Sequence, residues 1–129
     1  GVKPSVRVIG VEPLGARRYG RSREAGRPIR LEKVQTIADG TRTDQADPDN
    51  FHCIESLVDT LDWASDDEIR AAMALAVTKA HLVAEPSSVL GLAAAQAGRL
   101  PVCSLDKVCF VLSGGNADPK LLAEVLLAQ

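Results

Sequence analysis

The chain lacks an excess of charge of either sign, has few cysteines and contains no long apolar run. Its 129 residues carry 15 basic and 17 acidic side chains, a net charge of −2, so binding of nucleic acid by electrostatic attraction is not indicated. Three cysteines at irregular spacing, without a Cys-x-x-Cys pair, argue against a disulfide framework or a zinc site and favour a reducing, cytoplasmic setting. No apolar stretch approaches the roughly 20 residues of a membrane span, so no membrane association is expected.

The composition fits one globular domain that can bury a core, since 46% of the residues are hydrophobic and 25% are charged. The arginine cluster between Arg17 and Arg30 is interpreted as a solvated face. His52 and His81 have no partner motif and are interpreted as incidental. A strand-like run begins almost at the first residue, which argues against a signal peptide and predicts that the chain is a fragment.

Strand-like and helix-like patterns alternate along the chain. Short β-branched or apolar runs predict strands at residues 6–12, 61–64 and 107–112. The last run is apolar on both faces, as buried parallel strands are, and we expect Cys109 to be buried within it. Capping residues, first-turn prolines and helical spacing predict helices at residues 51–58, 66–82, 86–97 and from 119 onward. The predicted fold class is therefore α/β, a partial parallel sheet with helices on its faces.

The most informative segment is Ser113-Gly114-Gly115-Asn116, directly after the predicted strand at 107–112. Ligands of open parallel sheets bind beyond the carboxyl ends of the strands. Two glycines allow a close backbone approach, and Ser113 offers a hydroxyl that can donate or accept a hydrogen bond. On its own, the tetrapeptide is as typical of a plain strand-to-helix turn.

Four further motifs occur in order with this loop. The series is Val8-Ile9-Gly10-Val11-Glu12-Pro13, Thr36-Ile37-Ala38-Asp39-Gly40, Ser65-Asp66-Asp67-Glu68-Ile69, Glu85-Pro86 and Leu112-Ser113-Gly114-Gly115-Asn116. It resembles the second half of the serine/threonine dehydratase and serine racemase family, the fold-type II enzymes that depend on pyridoxal phosphate (PLP). The resemblance covers most of the chain. Each motif is weak alone, but five in register make a specific match.

The resemblance implies cofactor contacts for four residues. In the family, the serine of the Ser-Gly-Gly-Asn loop hydrogen-bonds the pyridine nitrogen of PLP, which indicates Ser113 and its neighbour Gly114. The glycine that ends Thr-Ile-Ala-Asp-Gly lies against the cofactor, which indicates Gly40, and Glu85 begins the segment that passes near the ring edge. Without the resemblance, Glu85 is a carboxylate favoured by the start of a helix.

The resemblance also implies a divalent cation beside the Glu-Pro motif. Glu12 and the carbonyl of Ala16 match two of the family's metal ligands. Arg18, however, stands where the third, acidic ligand is expected. A guanidinium puts positive charge where oxygen ligands are needed, so we do not expect a cation to bind.

The lysine that the family attaches to its cofactor is missing from this chain. In the family it lies in a Ser-x-Lys setting and is accompanied by a glycine-rich phosphate loop, both of which precede the part that this chain resembles. The five lysines have other settings: Lys3, Lys33, Lys79, Lys107 and Lys120. We therefore predict that the chain alone is inactive and contributes no directly catalytic residue.

The predicted parent is a PLP-dependent lyase that converts L-serine or L-threonine to a 2-oxo acid and ammonia. Residues 1–129 would form the incomplete C-terminal part of its catalytic domain, and its partners would be a small amino acid, the missing N-terminal half and further copies in a homo-oligomer. Three alternatives stay open: a non-catalytic truncated domain or subunit that pairs with the missing half, a fragment of a PLP-dependent racemase, and an independent ligand-binding module.

Overall fold

Two short strands, five α-helices and three 3-10 turns form the described part of the chain. The computed structural model describes residue 3, residues 5–104 and residues 106–128. The strands are β1 (Ile9–Pro13) and β2 (Thr60–Ala64). The helices are α1 (Arg18–Ala25), α2 (Pro48–Leu57), α3 (Asp66–Ala80), α4 (Leu90–Gln96) and α5 (Pro119–Leu127). The 3-10 turns are Leu14–Ala16, Asp39–Thr41 and Pro86–Val89.

The two strands pair in parallel, as the alternation of elements predicts. Ile9 lies opposite Thr60, and Pro13 lies opposite Ala64. The chain passes from β1 to β2 through α1 and α2, because parallel neighbours need a crossover connection rather than a tight turn. Among the described helices, none is both long and apolar enough to span a bilayer.

The third predicted strand, at residues 107–112, is wrong. The segment is extended but belongs to no sheet in the part of the chain that the structure describes. Val111 is 80% exposed, and Cys109 is also exposed, so the expected burial of Cys109 is wrong as well. A strand is held by hydrogen bonds to a neighbour, and apolar character alone does not supply that neighbour. Phe110 instead packs on α4, where a Cβ added at Gly91 would lie 3.3 Å from its ring.

Local sequence signals set the starts of the helices. At α3, the Ser65 hydroxyl accepts a hydrogen bond from the Glu68 amide (3.3 Å), and the Glu68 carboxylate accepts one from the Ser65 amide (2.8 Å). At α5, the Asp118 carboxylate accepts a hydrogen bond from the Lys120 amide at 2.9 Å. Both predicted starts are confirmed. The helix predicted from Pro86 begins instead as a 3-10 turn that leads into α4.

The core is packed largely with alanine. Helix α3 lies against α4 and α5, and one cluster of buried side chains joins them. Ile69 and Met73 on α3 are its largest fully buried side chains. We call this cluster the alanine-rich core; it comprises Ala38, Ala64, Ile69, Ala72, Met73, Ala74, Ala76, Ala84, Val89, Leu90, Ala93 and Val125. Because side-chain size sets the separation of packed helices, alanine lets these helices approach closely.

Candidate functional site

The motifs that contain Gly40 and Gly114 meet the Glu85-Pro86 motif at the carboxylate of Glu85. A Cβ added at Gly114 would lie 2.6 Å from Glu85 Oε1, and a Cβ added at Gly40 would lie 3.6 Å from the same oxygen. The structure therefore brings Gly40, Glu85 and Gly114 together, although the two glycines lie 74 positions apart in the sequence. A side chain at residue 114 would force the Glu85 carboxylate to move.

Ser88 fastens the Ser-Gly-Gly-Asn loop to the start of α4. Its hydroxyl accepts a hydrogen bond from the Gly114 amide at 2.6 Å and donates one to the Gly114 carbonyl at 2.8 Å. The Glu85 amide donates to that carbonyl as well, at 3.1 Å. Because Ser88 is buried, water does not readily replace these bonds. Ser88 is not among the residues predicted from the sequence; its only sequence signal is a pair of hydroxyl side chains directly after Glu85-Pro86.

Ser113 lies exposed on the loop that Ser88 fixes. Its Oγ is 3.4 Å from the Ser88 Oγ, and Ser113 is the donor of this long bond because the Ser88 proton is donated to the Gly114 carbonyl. The backbone next to it is held at Gly114, while its own side chain faces solvent. The Ser113 hydroxyl can therefore donate a hydrogen bond to a ligand by giving up only this long contact with Ser88.

The segment that ends at Gly40 is anchored by the first residue of α3. The Asp66 carboxylate accepts hydrogen bonds from the Thr36 hydroxyl (2.6 Å) and the Ile37 amide (3.2 Å). The Thr36 hydroxyl oxygen in turn accepts one from the Ala38 amide at 3.2 Å. A carboxylate is also favoured at a helix start, so Asp66 serves both α3 and this segment. The sequence predicts only the helix start here, because the second role of Asp66 joins residues 29 and 30 positions apart.

A cleft of about 670 Å³ adjoins these residues. Its lining includes Lys3, Arg7, Thr41, Ser87, Ser88, Lys107 and Phe110. A Cβ added at Gly40 would lie 3.0 Å from the Ser87 hydroxyl, which is buried and has no hydrogen-bond partner among the described residues. Most buried hydroxyls have a partner, so the Ser87 hydroxyl is a candidate for a contact with a group outside them.

Glu12 and Ala16 lie elsewhere, where β1 leads into α1. Both carboxylate oxygens of Glu12 accept hydrogen bonds from backbone amides of α1, from Tyr19 at 3.0 Å and from Gly20 at 2.7 Å. Burial raises the pKa of Glu12, and the two hydrogen bonds and the neighbouring arginines oppose that rise. Glu12 is thus already bound within the chain.

The groups around Glu12 do not fit a divalent cation. Magnesium and calcium take six or more oxygen ligands, whereas the position where the resemblance implies a third ligand holds the Arg18 guanidinium, which offers only N–H donors. The Arg18 side chain, which replaces the acidic ligand, donates from Nη1 to the Thr41 carbonyl at 3.0 Å. In the described part of the chain, no group of three His, Cys, Asp or Glu side chains is placed to hold a metal ion. The ligand geometry therefore gives no support to a cation on Glu12 and Ala16.

The residues around Glu85 fit one side of a PLP site. We call Gly40, Glu85, Ser88, Ser113 and Gly114 the glycine–serine cluster. It offers an exposed hydroxyl that can hydrogen-bond a ligand, on a loop whose backbone is fixed. It contains no lysine, although Lys3 and Lys107 line the adjoining cleft.

Comparison with known proteins gives consistent matches. A family model described as pyridoxal-phosphate dependent enzyme matches residues 2–114. The phenylserine dehydratase of Ralstonia pickettii is 35% identical over 123 residues, 95% of this chain and 38% of that enzyme. A solved threonine deaminase from T.th. is similar with a TM-score of 0.81 and 38% identity, over 91% of this chain and 42% of the other. Maize serine racemase is similar with a TM-score of 0.84 and 32% identity, over 98% of this chain and 40% of the other. The chain thus spans about two fifths of the length of these relatives.

Proposed function

Because the chain belongs to the family of pyridoxal-phosphate dependent enzymes, we propose that it is the C-terminal part of the catalytic domain of a serine/threonine dehydratase. In that enzyme it supplies the side of the PLP site formed by the glycine–serine cluster. One observation carries the proposal: Gly40, Glu85 and Gly114, from three separate motifs, meet beside the exposed hydroxyl of Ser113.

Ser113 has the central role in this proposal. PLP, when bound, supplies an electron sink for the negative charge that develops on the amino acid. The Ser113 hydroxyl would hydrogen-bond the ring nitrogen, and Ser88 would keep the Ser113 loop in position. A neutral hydroxyl does not hold that nitrogen protonated as a carboxylate would, so the sink is weaker. Such a site suits elimination, in which the Cα proton is removed and the β-hydroxyl departs to give water.

The chain alone is proposed to be inactive. It spans about two fifths of its relatives, and the attaching lysine and the phosphate loop are assigned to an N-terminal half. The complete enzyme is proposed to be a cytoplasmic homo-oligomer that acts on a small amino acid. The cleft beside the glycine–serine cluster is where we place the N-terminal half and the substrate.

A racemase fragment is the second candidate. The likeness to maize serine racemase, over 98% of this chain, favours it. The two candidates differ in their products, since a dehydratase releases a 2-oxo acid and ammonia whereas a serine racemase releases D-serine. A non-catalytic subunit would yield neither when it is paired with an N-terminal half.

The first test uses the 129-residue chain with added PLP. We expect no stable visible absorbance and no stoichiometric attachment, because no lysine has the family setting. Borohydride reduction followed by peptide mapping would detect weak labelling, which should be spread over several surface lysines. If the sample is diluted before reduction, this labelling should disappear. Stoichiometric labelling of one lysine, with Lys3 and Lys107 the first to examine, would contradict the proposal that the lysine lies in the other half.

The second test pairs the chain with a separately made N-terminal half of the same protein. The complex should bind PLP and form a 2-oxo acid from serine or threonine. Ser113→Ala in this chain should lower kcat by about 10²-fold or more, by analogy with the loss of one placed hydrogen bond in a catalytic site, while PLP stays bound. His52→Ala is the control, because His52 is exposed on α2, and it should change little.

The outcomes separate the alternatives. D-serine formation in place of a 2-oxo acid would favour the racemase. A folded complex that binds PLP and is indifferent to Ser113→Ala would show that the Ser-Gly-Gly-Asn loop does not contact the ring nitrogen.

A further inference from the structure

Arg18 connects two parts of the chain that no sequence motif joins. It is the first residue of α1, the helix whose amides bind the buried Glu12 carboxylate. Its guanidinium is half-buried and lies over the Tyr19 ring, 4.7 Å from the centroid. From there Nη1 donates to the Thr41 carbonyl at 3.0 Å. One side chain thus spans from the end of β1 to the turn that contains Gly40.

The Arg18 guanidinium is a cation whose neighbours include carboxylate and carbonyl oxygen atoms. The positive charge of Arg18 attracts the Glu12 carboxylate, and its Nη1 donates to the Thr41 carbonyl. Arg17, the other cation that attracts Glu12, is also paired with Glu24 at 3.1 Å, and no hydrogen bond to the Thr41 carbonyl is recorded for it among the described residues. A guanidinium is always charged and offers five donors in a fixed plane, so it can hold a carbonyl in a defined direction.

We propose that Arg18 replaces a bound divalent cation and acts as a positioning residue that holds the Asp39–Thr41 turn, and with it Gly40, against the 3-10 turn Pro86–Val89. The two turns are in contact, and Gly40 lies close to Ser87 and Glu85. That the position of Gly40 matters for PLP binding rests on the proposed function. The link from Arg18 to the turn is a property of the chain alone.

The test measures the response of the 129-residue chain to magnesium and calcium at millimolar concentration. We expect no change in the Tm of the original chain. Arg18→Asp should lower the Tm and speed amide hydrogen exchange at residues 39–41, and either cation should reverse both changes, since the new carboxylate joins Glu12 and the Ala16 carbonyl as oxygen ligands. A site saturated at about 100 times its Kd adds about 2.7 kcal/mol, so the Tm shift is measurable.

Two further variants serve as controls. Arg21→Asp makes the same change of charge on the exposed side of α1 and should not create a response to cations. Arg18→Met removes the charge and the donor together, so exchange at residues 39–41 should become faster and stay fast when cations are added. This variant keeps the test decisive if Arg18→Asp does not fold.

Three results would overturn the proposal. The first is a rise in the Tm of the original chain with either cation. The second is a folded Arg18→Asp chain that responds to cations no more than Arg21→Asp does. The third is Arg18→Met with unchanged exchange at residues 39–41. None of these measurements involves PLP, so a result that overturns the role of Arg18 can be distinguished from one that overturns the role of Ser113.

Discussion

The alanine-rich core and the segment at residues 107–112 are both apolar, yet they lie in opposite environments. Met73 in the core is fully buried, whereas Val111 in the segment is 80% exposed. Helix α3 has α4 and α5 as neighbours within the chain, while the segment contacts α4 through Phe110 and leaves its strand-forming edge unpaired among the described residues. Apolar sequence therefore becomes buried only where the same chain supplies the opposing surface. For the segment, we assign that surface to the proposed N-terminal half.

The largest expected effect comes from truncating one side chain in each region. Met73→Ala should lower the free energy of unfolding by about 2–5 kcal/mol, because it removes buried contacts and leaves a cavity. Val111→Ala should change it by less than about 0.5 kcal/mol, because Val111 is largely solvated. Urea denaturation of the 129-residue chain measures both. Similar losses in the free energy of unfolding for the two variants would show that the segment is packed in solution, and that the two regions do not differ in burial.

A smaller effect is expected at Ser87 and Ser88, which line the same cleft as the segment. Ser88→Ala should cost about 1–3 kcal/mol, because it leaves the Gly114 amide without its buried acceptor. Ser87→Ala should be close to neutral, because the Ser87 hydroxyl has no partner among the described residues. Hydrogen exchange at Gly114 provides the site-specific measurement and should accelerate only in Ser88→Ala. A loss of stability in Ser87→Ala as large as in Ser88→Ala would contradict this assignment.

The exposed segment should drive self-association of the isolated chain. Val111→Asp should weaken that association by about tenfold, or about 1.4 kcal/mol, since a charge replaces apolar surface that would otherwise be buried. Leu57→Asp is the control, because Leu57 is 70% exposed on α2 and does not line the cleft. Sedimentation velocity over a range of concentrations tests the pair. If the two variants behave alike, the segment is not the associating surface.

The smallest effect is a pH dependence from Glu12. Its raised pKa means that the folded state holds the proton more tightly than the unfolded state. The stability that this proton contributes is present below the ordinary pKa of 4.5 and is lost as the pH rises through the raised value. The free energy of unfolding of the original chain, minus that of Glu12→Gln, should therefore fall with rising pH, by at most about 1.4 kcal/mol per pH unit. A difference that stays constant or grows with pH would contradict the raised pKa.

Features set by neighbouring residues could be predicted from the sequence. The capping box at Ser65 and Glu68 and the Asp118 cap are local, and both helix starts were found. The parallel pair of strands followed from the order of the elements. The third strand was wrong because pairing depends on a neighbour that the segment's own residues do not reveal.

The site was predictable to the extent that it follows recognised motifs. The resemblance indicated Gly40, Glu85, Ser113 and Gly114, and the structure brings these residues close together. Their roles toward PLP stay predictions. The supporting contacts were missed because they join distant residues: Ser88 reaches Gly114 across 26 positions, and Asp66 reaches Thr36 across 30. No periodicity or short motif records such a contact.

The alanine-rich core has a consequence for how firmly the chain is folded. Alanine has no side-chain rotamers to lose, so ordering this core costs little side-chain entropy. Each methyl group also removes little apolar area from water, at roughly 25 cal/mol per Å², so the gain per residue is small too. The free energy of unfolding then depends on any partner that binds the folded chain and not the unfolded chain. The free energy of unfolding measured for this chain should therefore rise with the concentration of the partner that binds its cleft, which we propose to be the N-terminal half.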